Sequence, residues 1–563
     1  MRAETEANER NPAQQPRPMS DPAPQGLIAG WWSRTCIEDR LAFALFLGLA
    51  ILCLLIFRDF GISWDEPGHD AIGQQTIAYY LSGLQDTAAR DNPDFHARYG
   101  SLFDVLRCLA ADVLPFSHFE TGHLLGGFVG LIGIVGCWRL SRLLFGPRAA
   151  LASALLLALT PAYFGHMFIN AQDIPFAAGY VWTLFYLVRC VQQAPKIPWG
   201  LAIRFGVALG LTLAVKVGAA LFVLYALLAV LAWHGLRPEP AGFYECTRSV
   251  LRSLLRLALP ALFIAYPVML AFWPWAQIKP LANPLDAFFD FGHVPWGGEV
   301  LLAGHTYDAL QIPRSYLPIY MAVQLPEIAV LLLAVAPFFA VAGLRQAQWR
   351  PESDRLVLIG LVALAALLPA LMQIALRLLI YNATRHMLFL LPPLFVLLGP
   401  VAARGFDYVL GLDRRLRLAG LGLLAIYGAY HVSLMALLHP YEYIYYNAFV
   451  GGLPGAAGRF QLDYWGTADR EAVGLLRRYA AAQGRQPQSF VVGACPSLYS
   501  VHLEMPADYR WSDGQEPADF VVRVALGDPL PYFLQCPWKP GRVIATVSRL
   551  GVPLAQVETM QHN

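Results

Sequence analysis

Apolar residues in this chain come in long runs, separated by short charged connections. Eleven runs stand out, at about 41–58, 119–144, 149–166, 174–192, 199–215, 217–234, 257–274, 326–343, 356–376, 387–403 and 418–437. Each is about as long as a helix must be to cross a bilayer core of roughly 30 Å. The pattern predicts an α-helical polytopic membrane protein with about 11 transmembrane helices. Basic residues fall in alternate connections. One set holds Arg139, Arg142 and Arg148, then Arg189 and Lys196, then Arg237, Arg248, Arg252 and Arg256. It continues with Arg345, Arg350 and Arg355, and ends with Arg404, Arg414, Arg415 and Arg417. Basic residues favour the cytosolic side, so these five connections are expected in the cytosol, with a cytoplasmic N-terminus and a tail outside from about His439.

The polar stretches complete the plan. Residues 1–39 are polar and proline-rich and read as a disordered cytosolic tail, too long and too weakly basic to begin a signal peptide. Residues 40–437 form the membrane domain, with long external loops at 59–118 and 275–325. The first loop contains Ala71–Leu81 and Leu102–Leu114, both amphipathic at helical spacing and suited to the membrane interface. Residues 438–563 are more charged. Asp469–Gln483 has a helical pattern, while Ser489–Ala494, Phe520–Val524 and Val543–Val547 are strand-like, which predicts a small C-terminal extracytoplasmic α/β domain. Glycines 452, 455 and 458 follow a membrane helix rather than a strand, so that stretch reads as a loop and not a phosphate cradle. An oxidising compartment permits a disulfide between Cys495 and Cys536, and sequence leaves its geometry open.

Composition narrows the function classes. Hydrophobic residues make up 57% and charged residues 14%, where a soluble chain carries about a quarter charged. A formal charge of +2 gives no nucleic-acid surface, and the eight cysteines show no paired CxxC spacing. His293 and His305 in the second external loop also lack ligand spacing.

The candidate chemistry collects at the external helix ends. Gly61-Ile62-Ser63-Trp64-Asp65-Glu66-Pro67-Gly68-His69-Asp70 follows the first run and places two adjacent carboxylates at the lipid boundary. Ser63 and Glu66 also fit a capping box, and acids suit a helix N-terminus on structural grounds alone. Asp173 puts a second acid on the same face, with a helix cap as its plain alternative. Lys216, at an external turn, either snorkels to water or faces an anion. Arg314 ends the second loop, and Arg385-His386 stands in the turn before Met387. Arginine on the face where positive charge is disfavoured points to a bound anion. His69, His123 and His166 are further candidates on the same face.

The order of these features resembles a known group. A first helix, the external pair Asp65-Glu66 on a long loop, Asp173, and Arg385-His386 before Met387-Leu388-Phe389-Leu390-Leu391-Pro392-Pro393 resemble the GT-C membrane glycosyltransferases. The likeness is to the family 39 proteins, similar to protein O-mannosyltransferases and the lipid A aminoarabinose transferase, and it covers about residues 40–400. Tyr99-Gly100-Ser101-Leu102-Phe103-Asp104 and Leu462-Asp463-Tyr464-Trp465-Gly466 also look like bacterial members. His118-Phe119-Glu120-Thr121-Gly122-His123 departs from the Arg-His that related chains often carry near the second helix.

The resemblance implies transfer of a sugar from a polyprenyl-phosphate carrier to a protein, lipid or glycan acceptor, with inversion, on the outer face of a bacterial inner membrane. Asp65 then matches the general base, Glu66 would orient the site or hold the acceptor, and Asp173 matches the second acid. Arg385, with His386, Lys216 and Arg314 behind it, would meet the donor phosphate. No cofactor follows from the residues, and a divalent metal stays open. The rival class is a secondary transporter or flippase, which typically shows internal repeats and midplane polar groups; here ionisable residues gather at helix ends and no repeat is seen. A non-catalytic scaffold would have no need of the acids.

Overall fold

The computed structural model describes residues 36–92, 95–236, 242–290, 297–345, 353–496, 499–512, 514, 516–527 and 536–560. Most of the expected N-terminal tail, along with His293, lies outside these. Helix α1 spans Ile37–Ile56. A polar turn leads to α2, Glu66–Leu81, and then to α3, Leu102–Ala111. Helix α4, His118–Phe145, opens on a complete capping box between Ser117 and Glu120. It is followed by α5, Pro147–Ala158, and α6, Pro161–Ile169, and then α7, Asp173–Gln192.

All eleven apolar runs are helical. Among the described residues, eight helices are long and apolar enough to cross a membrane unaided, and α5 with α6 passes the same test only as a pair, bent by 62°. Pro161 stands at the bend, where a proline is tolerated as the first residue of a new helix. The remaining two, Trp199–Leu213 and Glu327–Ala342, are apolar but shorter. The span expected at 257–274 begins earlier, within Phe243–Ala271. Large apolar side chains face outward on many spans, among them Leu47, Leu54, Phe263 and Leu423. Such a surface suits lipid, not water.

Lipid offers helices no hydrophobic drive to associate, so close packing must supply it. Glycines on α4 do this against α6. A Cβ at Gly126 would stand 2.4 Å from the Met167 carbonyl oxygen, and one at Gly133 would stand 2.2 Å from the Tyr163 hydroxyl. At the opposite end of these helices, α1 is tied down by Asp39 to Arg142 at 2.6 Å and by Glu38 to Arg148 at 3.0 Å.

After the last span, Arg414–Leu438, the chain enters the C-terminal region. Helix α8, Asp469–Ala482, matches the expected helix. The strands β3 (Val491–Cys495), β4 (Arg510–Ser512), β5 (Phe520–Arg523), β6 (Arg542–Arg549) and β7 (Val552–Thr559) form one sheet in the order β4-β3-β5-β7-β6. Its β4-β3-β5 half is parallel, and β7 pairs antiparallel with both neighbours. A disulfide joins Cys495 to Cys536. The second long loop contributes a two-stranded hairpin, β1 (Glu299–Leu302) with β2 (His305–Asp308), which the sequence reading did not anticipate.

Candidate active site

The turn between α1 and α2 is held along its whole length. Phe60 is buried and stacks on Phe168 at 4.3 Å. Gly61 lies against the C-terminal region so closely that a Cβ would stand 2.2 Å from the Thr467 carbonyl oxygen. The Ile62 N–H donates to Glu504, the Ser63 hydroxyl donates to the Ile169 carbonyl, and the Trp64 N–H donates to the Trp465 carbonyl. Asp65 is thereby fixed at the N-cap of α2, yet its side chain makes no capping bond. The carboxylate instead accepts from Arg385 Nη2 at 3.0 Å.

Arg385 is delivered by an unusual backbone. Asn382 and Ala383 have φ of +57° and +58°, a left-handed conformation that costs about 1–3 kcal/mol for residues bearing a Cβ. Their surroundings enforce it: the Ala383 N–H donates to the Tyr316 hydroxyl, and Thr384 donates to Gln324. The guanidinium then lies 4.3 Å from the Trp465 ring centroid and 5.1 Å from that of Tyr381. Its Nε is 3.9 Å from Asp173 Oδ2. Arg385 is buried, and among the described residues its Nε and Nη1 have no hydrogen-bond partner; nor does the buried Nε2 of His386. Buried arginine donors left unpaired are costly, so this arrangement suits an anion that completes them.

Asp173 opens α7 without capping it. Asn170 does that work: its Oδ1 accepts from the Asp173 N–H at 2.7 Å while its Nδ2 donates to Asp173 Oδ2 at 2.9 Å. The other carboxylate oxygen meets Lys216 Nζ at 2.5 Å. Lys216 therefore turns inward instead of snorkelling, and burial pushes its ammonium below the ordinary value while Asp173 opposes the shift. The result is an alternating row of Asp65, Arg385, Asp173 and Lys216. Asp65 is its open member, with a side chain 27% exposed against 5% for Asp173.

Trp465 is set over Arg385 by the turn that Asp463 closes. The Asp463 carboxylate accepts from Thr467 N–H at 3.1 Å, from Ala468 N–H at 3.2 Å and from the Tyr443 hydroxyl. Gly466 supplies the positive φ of +68° that the turn requires. Burial pushes the Asp463 carboxyl up to about 7, against the pull of these bonds. Its ordinary value is 3.8, so between these limits the native state keeps a proton that the unfolded chain has released. Stability should consequently fall as pH rises from about 4 to about 7 and level off above. Thermal unfolding of Asp463→Asn across that range should lack this slope; an unchanged slope would assign it to another group.

The remaining candidates lie elsewhere. Glu66 is buried, with Oε2 accepting from the Ser63 N–H at 2.7 Å and Oε1 3.1 Å from His123 Nε2. It supplies half of the expected capping box and fastens the turn, while the Ser63 hydroxyl bonds elsewhere. His69 pairs with Asp104 at 3.2 Å, and His166 faces the Tyr464 hydroxyl at 3.2 Å. Arg314 is exposed and makes no ion pair among the described residues, so it does not join the row. Sequence reasoning gave no role to Trp465, Tyr381, Asn170 or Tyr99, whose ring lies 5.6 Å from Lys216 Nζ. Trp465 and Tyr99 stand in motifs quoted above and Tyr381 and Asn170 stand within four residues of Arg385 and Asp173, but nothing local says that these stretches meet.

Fold and site together define a polytopic membrane protein with an ion-paired, aromatic-covered cluster at the end of its bundle that carries the C-terminal sheet. Residues 120–244 match the family model for dolichyl-phosphate-mannose-protein mannosyltransferases, the group its sequence resembles. The match includes Asp173 and Lys216 but neither Asp65 nor Arg385. No curated protein sequence matches. Among solved structures, ArnT from Cupriavidus metallidurans bound to undecaprenyl phosphate is similar at 15% identity, covering 93% of this chain and 98% of that one, with a TM-score of 0.47. The oligosaccharyltransferase AglB from Archaeoglobus fulgidus, in complex with an inhibitory peptide and a dolichol-phosphate, is 13% identical over 85% of this chain and 69% of that one, TM-score 0.45. The mycobacterial arabinofuranosyltransferase AftD is 14% identical over 92% of this chain and 40% of that one, TM-score 0.42.

Proposed function

We propose that this protein is an integral-membrane glycosyltransferase that moves a sugar from a polyprenyl-phosphate carrier to an acceptor hydroxyl, on the extracytoplasmic face and with inversion. The observation that carries this reading is Arg385: buried, stacked beneath Trp465, pinned between two acids, and left with two unpartnered donors. A lipid phosphate is the anion that such a site, at the end of a membrane bundle, is suited to receive. The family match over residues 120–244 supports the same donor class.

In this reading the arriving phosphate takes hydrogen bonds from Arg385 and loosens the guanidinium from Asp65. The freed carboxylate, the more exposed of the two acids, then accepts the proton of the acceptor hydroxyl. The acceptor oxygen bonds to the anomeric carbon from the face opposite the phosphate. The carbon–oxygen bond to phosphate breaks, and its electron pair leaves with the polyprenyl phosphate. Arg385 and Lys216 balance that charge, which is the usual means of stabilising such a leaving group. One displacement inverts the anomeric centre. Asp173, held by Asn170 and Lys216, positions Arg385. Asp65 and Asp173 both face cations, so no step is assigned to a metal. The test is transfer of labelled sugar from polyprenyl-phosphate donors by the purified protein. Transfer with an inverted product supports the reading; substrate transport without new glycosidic bonds favours a transporter.

Orientation rests on the five basic connections. In a cysteine-reduced background, an impermeant thiol reagent should label Ala303→Cys and Gln483→Cys in intact cells and spare Gly411→Cys. Labelling at residue 411 alone would turn the site to the cytosol.

A further inference from the structure

A second cluster of chemistry lies on the face of α2 about 140–180° around from Asp65, as Asp70 and Gln74 follow it by five and nine residues. There α2, the start of α4 and the C-terminal region border a cavity of about 610 Å³, whose wall includes Asp70, Gln74, His118, Glu120, Arg470 and Glu504. Asp70 of α2, Cys108 of α3 and His118 of α4 bring one carboxylate oxygen, one sulfur and one imidazole nitrogen within 4.8 Å of one another. His118 Nδ1 is 3.0 Å from Asp70 Oδ1, and Cys108 Sγ is 3.7 Å from the same oxygen.

We propose that Asp70, Cys108 and His118 bind one divalent transition-metal ion of the zinc class. Bond lengths of about 2.0–2.3 Å to zinc place tetrahedral ligand atoms about 3.3–3.6 Å apart, close to the two separations observed. Thiolate, imidazole and carboxylate together select zinc over magnesium or calcium, which take oxygen ligands. Asp70 and His118 border the cavity, so water from it completes the fourth position. Binding releases the Cys108 proton to solvent and oxidises nothing. Gln74 Nε2 donates to Asp70 Oδ2 at 2.6 Å and orients the carboxylate. Arg107 Nη2 shares Asp70 Oδ1 at 3.2 Å and opposes the incoming charge, so the affinity falls below that of a four-ligand structural site. The ion ties three helices together, one of which starts at Asp65. The site does not depend on the transferase reading.

The experiment uses the full chain in detergent, stripped with a chelator and titrated with Co²⁺. The wild type should bind one equivalent with a thiolate-to-cobalt charge-transfer band that Zn²⁺ abolishes. Cys108→Ser should lose the band. His118→Ala, at a partly exposed position, should weaken binding by more than about tenfold, at least the loss that outer-shell partners already cause. Absence of the band in the wild type, or equal Co²⁺ binding by wild type and both variants, would overturn the site.

Discussion

Replacing Asp65 by asparagine is expected to slow sugar transfer by roughly 10²–10⁴, the usual contribution of a general base, while the protein stays folded. Asparagine keeps the size of the side chain and can accept from Arg385, but it cannot take a proton from the acceptor. Because Asp65 makes no capping bond, α2 loses none, and the melting temperature should change little. The effect should fall on turnover more than on donor affinity. Glu66→Gln should behave differently. Glu66 is buried against His123 and the Ser63 N–H, so that variant should lose stability first and activity in proportion. Near-normal turnover in a stable Asp65→Asn variant would return this acid to a purely structural role.

Arg385→Ala should cost about 2–3 kcal/mol of transition-state stabilisation, the scale of a lost charge-assisted hydrogen bond, read as kcat/KM for the lipid donor. Two further consequences follow from the row of charges. Asp65 and Asp173 lose their shared cation, and Trp465 loses the group it covers. Arg385→Lys should recover only part of the loss, since an ammonium cannot match the planar fork or the stacking on Trp465. Unchanged donor kinetics in a folded Arg385→Ala variant would remove it from the site.

Much of this architecture is legible in the chain because lipid imposes long apolar runs, and all eleven reappear as helices. The sheet is less so. Strand β7 lies between β5 and β6 and is buried on both faces with register shifts, so Val552–Thr559 lacks the alternation that marks a half-exposed strand. Strand β4 is three residues long. In the site, charge at a lipid boundary singles out Asp65, Asp173, Lys216 and Arg385, because such residues are rare without a purpose. Their pairing was not legible: Asp65 and Arg385 are 320 residues apart, and Trp465 arrives from beyond the last span. Asp65 and Glu66 look equivalent in sequence. One helical step of about 100° sends the first toward Arg385 and the second toward His123. Arg314 shares the external face in sequence yet stays outside the cluster, since a shared face does not fix distance.

Whether Arg385 and its neighbours receive a lipid phosphate can be read by direct binding, with no knowledge of sugar or acceptor. The purified protein is titrated with a polyprenyl phosphate and, separately, with the matching polyprenol, for wild type and Arg385→Ala. The wild type should prefer the phosphate by about tenfold or more and Arg385→Ala should lose this preference, since 1.4 kcal/mol corresponds to a factor of ten. Equal binding of phosphate and alcohol by the wild type, or an undiminished preference in Arg385→Ala, would contradict lipid-phosphate binding at Arg385.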